Sequence, residues 1–320
     1  MYTFNIIIKN SNPDYKEFVF DCYSYVYFLE RTNQIVPRKQ IVSLHEDTVT
    51  IPVICPEKNA LDSKYCTKYC LNTIAKIEKN SGNKIQHILI GREAESLHYK
   101  IPVKSSFYTV RCGMDFPLIC GDTHTEIPLY KIPRTDHDGD DYDNLFFWNK
   151  NYDRLYGLWL SSKYEVFAEE QMQDAYSSIS KAGRKLATLV EKLTGVPTYY
   201  FLLNYRSWSE EKDKERKCPI TGNDWLIKGA KIHDYIAFKC DESRLVSELS
   251  ANSSEEEDAY KRTIFELSGK SLDFTVEAVE FRIKTNQELM NDKNTTEDEY
   301  FDLGNDTELL KIIKKYLKGE

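Results

Sequence analysis

Several things are scarce in this 320-residue chain. Only 13 glycines and 10 prolines occur, so it has little material for the Gly-rich loops that cradle nucleotide phosphates. Neither G-x-S-x-G nor H-E-x-x-H appears, nor a Gly-rich phosphate loop, and no residue pattern gives a positive reason to expect an enzyme. No apolar run approaches the length of a membrane span, so no membrane partner is expected. The opening MYTFNIIIKN reads as a strand rather than a secretory leader, which would need a basic start and a longer apolar run. A cytoplasmic location is therefore expected, where the eight cysteines would stay as thiols or bind metal.

Aromatic residues are plentiful, with 22 tyrosines and 15 phenylalanines. They favour strands, fill cores and also suit binding surfaces. The net charge is −8, and it is unevenly placed. Residues 251–320 hold 17 acidic and 10 basic residues, which leaves the preceding 250 nearly neutral. A neutral body with an acidic tail is a poor overall footprint for nucleic acid.

Periodicity predicts an α+β protein. TFNIIIK (3–9), TVTIPVICP (48–56), IQHILIG (85–91) and TYYFLLNY (198–205) read as strands. Residues 16–30, the stretch through Ile77 that ends at Gly82, and the segments 165–176 and 177–194 read as helices. The expected organisation is a mixed N-terminal domain (1–145), a central helix and strand segment (146–210), a ribbon-like β-hairpin module (211–250) and an acidic C-terminal extension (251–320). Within the extension, 271–285 alternates like a strand, with a helix as the other reading. Residues 291–306 look like an acidic loop, and 307–318 like a terminal helix capped by Thr307.

The chemistry-bearing pattern is CPITGNDW, from Cys218 to Trp225. It begins as a zinc knuckle, yet Thr221 stands where the second cysteine belongs. Downstream, Cys240-x-x-Ser243 repeats the pattern. With four cysteines, this spacing would be a strong structural zinc signature. Hydroxyls are weak zinc ligands, because they stay protonated near neutral pH and lack a thiolate's softness. Gly222 follows the second position, where the turn needs a positive φ. His233 lies between the knuckles and is the remaining candidate for a third ligand.

These residues carry a resemblance. KCPITGNDW, DYIAFKCDESRLVS and GRKLATLVEKLTGVPTYYFLLNY are similar to the C-terminal half of a bacterial family of uncharacterised function. That family is described as zinc-ribbon-containing, with a suggested nucleic-acid-binding role. ICGDTHTEIPLYKIP and YDNLFFWNKNYDRLYGLWL resemble its preceding segments, so the likeness spans about residues 107–250. It implies a zinc-ribbon scaffold. The departures at Thr221, Ser243 and Thr123, each replacing a second cysteine, imply that the ribbon is degenerate. Cys218 and Cys240 are then remnant ligand positions, no cofactor is expected, and zinc is the metal such a site would take. The hairpin is expected to hold its shape by packing Trp225, Tyr235, Phe238 and Leu245.

The resemblance suggests a non-catalytic cytoplasmic binding protein, with nucleic acid as the partner. Arg206, Arg216, Lys217, Lys239 and Arg244, with Trp225 among them, are the candidate contacts, since aromatics between cations stack bases. Acidic residues are interleaved throughout, and 206–217 holds five bases and four acids, so a solvated mixed-charge surface is the preferred reading of that stretch. The alternative is a protein-binding module, such as a toxin-neutralising or defence-associated protein, with a basic partner for its acidic tail.

Three lesser features complete the pattern. The loop TDHDGDDYDN (135–144) fails the EF-hand spacing and reads as an exposed acidic turn. Cys66 and Cys70 read as core thiols. Cys112, Cys120 and His124 form a secondary metal candidate.

Overall fold

Alternating burial builds the first layer. In β1 (Tyr2–Lys9) the side chains of Phe4, Ile6 and Ile8 turn inward, and in β3 (Thr48–Cys55) those of Val49, Ile51, Val53 and Cys55 do the same. The computed structural model describes residues 1–11, 15–111, 115–161, 165–205, 210–250 and 276–291, together with Thr307 and Lys311. β2 (Ser43–His45) and β4 (Gln86–Arg92) complete an antiparallel sheet in the order β2-β3-β1-β4. Helices α1 (Tyr15–Arg31) and α2 (Lys68–Ser81) supply Tyr25, Leu29, Cys70 and Ile77 to the same core. Thr67 caps α2 by accepting from Cys70 N at 3.3 Å, and Gly82 ends it at φ 73°. Cys66 and Cys70 are buried in this core, as their helical spacing suggested.

The second sheet has six strands in the order β7-β6-β5-β8-β10-β9. They are β5 (Tyr108–Val110), β6 (Leu118–Cys120), β7 (Glu126–Ile127), β8 (Thr198–Leu202), β9 (Ile236–Cys240) and β10 (Leu245–Glu248). β8 runs parallel to both β5 and β10, and the outer pairs are antiparallel. All five residues of β8 are buried, as a central strand covered on both faces requires.

One face of this sheet carries Val110, Tyr200, Leu202 and Phe238. They pack with residues of α3 (Asp143–Leu160) and α5 (Ser178–Thr194). Helix α4 (Glu165–Gln173) lies between α3 and α5 in sequence and contributes Met172 to that core. α5 is capped by Ser177, which accepts from Ser180 N at 3.1 Å, and Gly195 ends it at φ 70°. Inside α5, Gly183 lets the Tyr200 ring approach so closely that a Cβ would lie 2.3 Å from it. The opposite face holds a smaller cluster of Tyr199, Phe201, Ile236 and Val246, with Tyr235 packed against it.

The chain is therefore an α+β protein. It divides into two compact units, Met1–Ser253 and Ser254–Glu320. The described part of the second unit is mainly α6 (Val276–Met290). Of the two readings of 271–285, strand or helix, the helix is the one found over Val276–Met290. Val276, Val279 and Ile283 also recur at helical spacing, and a short alternating run with Glu and Ala in it satisfies both periods. The acidic loop at 291–306 and the helix at 307–318 lie outside the described residues, apart from Asn291, Thr307 and Lys311. Among the described residues, no helix is long and apolar enough to cross a membrane.

The acidic turn at 135–144 differs from its sequence reading at Asp141 and Tyr142, which are both buried. Asp141 is fully buried and accepts from Arg31 at 2.6 Å, which joins α1 to the start of α3. Asp140 remains on the surface and pairs with Lys68.

Candidate functional site

The four ribbon positions come together. Cys218 Sγ lies 3.2 Å from Ser243 Oγ, and Cys240 Sγ lies 3.7 Å from Thr221 Oγ1. Local backbone bonds fold the first knuckle: Gly222 N donates to Cys218 O at 2.8 Å, and Cys218 N donates to Asn223 O at 2.9 Å. This turn requires the left-handed φ of 73° at Gly222. The second knuckle turns at Arg244, with φ 52°, between the paired residues Cys240 and Leu245. Asn223 Nδ2 braces the two turns by donating to Glu242 at 3.1 Å.

Burial pushes the Cys218 thiol up, but more effects act the other way. The Ser243 and Thr221 hydroxyls and the N–H groups of Thr221 and Ile220 bring it below its ordinary value. These donors form the cradle a metal-bound thiolate would use. The donor set itself does not fit zinc, because two of its four groups are neutral hydroxyls. Among the described residues, no three His, Cys, Asp or Glu side chains converge on a common metal position. His233 does not join the knuckles. Its Nε2 donates instead to Gly121 O at 2.6 Å, and its ring lies 5.2 Å from that of His124.

The packing beneath the knuckles follows the strand faces. Trp225 is buried against Phe238, with ring centroids 5.1 Å apart, and its Nε1 donates to Arg216 O at 2.8 Å. Leu245 shares that core, whereas Tyr235 packs on the other face of the sheet. Two consecutive left-handed residues, His233 and Asp234, turn the chain before β9 and carry Tyr235 there.

The cations named from the sequence can now be placed. Arg216 lies over the rings of Phe238 and Trp225, at 4.4 and 4.8 Å, and donates to Ser247 Oγ at 3.0 Å. Its Nε is 3.2 Å from the buried Asp213 carboxylate. Lys217 pairs with Asp224. Lys239 sits 4.8 Å over the Tyr199 ring and 2.7 Å from Asp241. Arg244 grips Glu191. Arg206 lies outside the described residues. Trp225 and Arg216 are thus committed to the protein core, and the other three are engaged by carboxylates. The sequence did not single out Asp213 or Glu191, since only tertiary contact reveals the pairing.

The secondary metal candidate has a similar outcome. Cys112 lies outside the described residues. Cys120 Sγ is 3.1 Å from Ser105 Oγ, and His124 Nε2 is 2.9 Å from the Tyr235 hydroxyl. Burial, then Arg111 and His233, holds His124 below its usual imidazole value.

A separate cavity of about 350 Å³ is lined by Met1, Arg38, Tyr99, Asp115 and Glu126, among others. Burial raises Glu126 to about 7 against the opposing N–H of Phe116, which donates to its Oε1 at 3.1 Å. Sequence spacing gave no signal for this residue.

Comparison with known proteins places this architecture in a bacterial family. Residues 100–203 match a family model described as Domain of unknown function (DUF2310), and residues 208–253 match Domain of unknown function (DUF8594). A Haemophilus influenzae protein described as uncharacterized is 37% identical over 153 residues, which are 47% of this chain and 73% of the relative. Another from the same organism, described in the same words, is 33% identical over 205 residues, 62% of this chain and 77% of the relative. The chain belongs to this bacterial family of uncharacterised function. No solved structure matches it.

Proposed function

We propose that the chain is a non-catalytic binding protein built on a degenerate zinc ribbon, and that its partner is a protein rather than a nucleic acid. The observation that carries this reading is the engagement of the cations. Arg216, Lys217, Lys239 and Arg244 are each held by a carboxylate of the same chain. Neutralised cations release few counterions from a nucleic acid, and counterion release supplies most of non-specific affinity. The contacts of Cys218 with Ser243 and of Thr221 with Cys240 support a ribbon that keeps its shape without metal. Exposed aromatics at helical spacing on α1, namely Phe20, Tyr23 and Tyr27, add support, because aromatic residues are enriched at protein interfaces. The acidic excess of 251–320 suits a basic partner.

The test has two arms. The full chain, titrated into labelled single- and double-stranded oligonucleotides at rising salt, is expected to show no saturable binding. Recovered from its native cells after nuclease treatment, it is expected to carry a near-stoichiometric protein. Saturable oligonucleotide binding that falls steeply with salt, and is lost in Lys217→Glu with Lys239→Glu, would overturn the reading.

A further inference from the structure

Cys120 opens a turn of the same design as the two ribbon knuckles. His124 N donates to Cys120 O at 2.9 Å, as Gly222 N does to Cys218 O at 2.8 Å. Cys120 N donates to Thr125 O at 2.8 Å, as Cys218 N does to Asn223 O at 2.9 Å. His124 takes φ 55° at the place where Gly222 takes 73° and Arg244 takes 52°. Few non-glycine residues adopt that conformation, so its recurrence at one position in three turns has a common geometric origin.

The strand register around these turns also repeats. Val110 pairs with Leu118 as Leu226 pairs with Phe238. Thr109 faces Ile119, and Lys239 N donates to Trp225 O. In the hairpins, Leu118 faces Ile127 as Phe238 faces Ser247, and Ile119 faces Glu126 as Lys239 faces Val246. With every pair in step, Cys120 corresponds to Cys240 and Thr123 to Ser243. Counting back along the first strand, Ser105 corresponds to Thr221 and Pro102 to Cys218. The side chains obey this correspondence. Cys120 Sγ meets Ser105 Oγ at 3.1 Å, where Cys240 Sγ meets Thr221 Oγ1 at 3.7 Å. The carboxylate of Asp122, at the place of Glu242, also reaches across to the facing turn: it accepts from Ser106 N at 2.6 Å, one residue before the place of Asn223, whose side chain donates to Glu242 at 3.1 Å.

We infer that residues 102–127 form a second degenerate ribbon, in which Pro102, Ser105, Cys120 and Thr123 stand at the four ligand positions of a tetrahedral, thiolate-bound zinc site that these residues no longer provide. This inference deepens the degenerate-ribbon reading and rests on it. The six-stranded sheet is then two ribbons joined edgewise through β8, which pairs with β5 of one and β10 of the other. The two ribbons are also tied across the sheet. His233 and Tyr235, from the second, reach Gly121 O and His124 in the Cys120 turn of the first. Decay has gone further in the first ribbon. Proline has no ligand atom, and Ser106 lacks the left-handed turn that Gly222 provides.

The test restores thiols one ribbon at a time in the full chain. Thr221→Cys with Ser243→Cys is expected to take one cobalt or zinc ion per chain, read by native mass spectrometry and by thiolate-to-cobalt absorption. Adding Ser105→Cys with Thr123→Cys, which gives three thiolates with Cys120, is expected to raise the count to two. A count that stays at one in the folded four-site variant overturns the second ribbon while sparing the first. A count of zero in the first pair overturns the ribbon reading as a whole. Should the four-site variant not fold, Ser105→Cys alone provides the decisive measurement. Diamide oxidation is expected to join the new thiol to Cys120, with loss of two hydrogens to the diamide. A folded protein that keeps both thiols free overturns the inference.

Discussion

Arg244 holds Glu191 with two parallel hydrogen bonds, from Nε to Oε2 at 2.8 Å and from a terminal nitrogen to Oε1 at 2.7 Å. The pair fastens the second knuckle to α5. The same guanidinium donates to the Tyr199 hydroxyl at 3.3 Å and to Asp241 O at 3.0 Å. A residue that reads from sequence as a phosphate contact is therefore a structural clasp. A forked guanidinium matches a carboxylate in a way that an ammonium cannot.

Loss of this clasp should be measurable but modest, since both side chains are about a third exposed and solvent screens the pair. Arg244→Ala is expected to lower stability by about 1 kcal/mol in urea unfolding. Arg244→Lys should recover little of it. Arg244→Gly should be milder than Arg244→Ala, because glycine relieves the positive φ. The Arg244 hydrogen bonds hold Glu191 below the usual carboxylate range. Its contribution is therefore full above the unfolded pKa and fades as pH falls through the lowered value. A cost of Arg244→Ala that is as large at pH 3 as at pH 7 would contradict this account.

Arg31 presents the contrasting, buried case. It donates to Asp141 at 2.6 Å and also pairs with Asp143, and the Asp141 side chain has no exposure. Removing the cation would strand a carboxylate away from water. Arg31→Ala is expected to cost ~3–5 kcal/mol. Adding Asp141→Asn should return a substantial part of that loss. If the double variant is no more stable than the single one, the stranded charge is not the cause.

Much of the fold was legible because hydrophobic period and punctuation agree. Phe4, Ile6 and Ile8 alternate, and Gly82 and Gly195 stop helices whose apolar residues recur at 3.6. The ribbon positions were legible from Cys218, Gly222 and Cys240. The proposed second ribbon was not, because Pro102 and Ser105 are not residue types that mark a knuckle and the correspondence rests on backbone register. The burial of Asp141 was hidden for a related reason: its partner Arg31 lies 110 residues away. The segment 271–285 left strand and helix both open, because a short apolar alternation satisfies two periods at once, and the helix Val276–Met290 is the second of those readings.

Gly183 illustrates how a residue that weakens a helix can be required by the fold. Glycine in a helix interior costs about 1 kcal/mol relative to alanine, so substitution by propensity alone should stabilise α5. Contact reverses the sign. A Cβ at 183 would lie 2.3 Å from the Tyr200 ring and 3.0 Å from Trp148, in the core where α5 meets β8. Tyr200 is fully buried, with its hydroxyl 3.2 Å from Ser180 Oγ, and cannot swing aside. Gly183→Ala is expected to destabilise by ~1–3 kcal/mol. Tyr200→Phe with Gly183→Ala should not rescue it, since the clash is with ring carbons. A Gly183→Ala protein with a raised melting temperature would show that α5 can lift from the sheet.

Glu126 gives the pH prediction with the opposite sign to Glu191. Its carboxyl titrates near 7 in the folded chain, because burial beside the Asp115 charge disfavours the ionised form. In the unfolded chain it titrates near 4.3. The folded protein therefore binds more protons across that interval, and stability falls as pH rises from about 4.3 to about 7. The loss approaches ~3–4 kcal/mol above the folded value, since each unit is worth about 1.4 kcal/mol. Glu126→Gln keeps an oxygen to accept from Phe116 N and cannot ionise. It should be more stable than the parent at pH 8 and nearly equal to it at pH 4.5. Urea unfolding of both proteins at the two pH values decides the matter: a Glu126→Gln difference that does not change with pH would mean that the carboxyl is already ionised at its ordinary value and that water reaches it through the cavity.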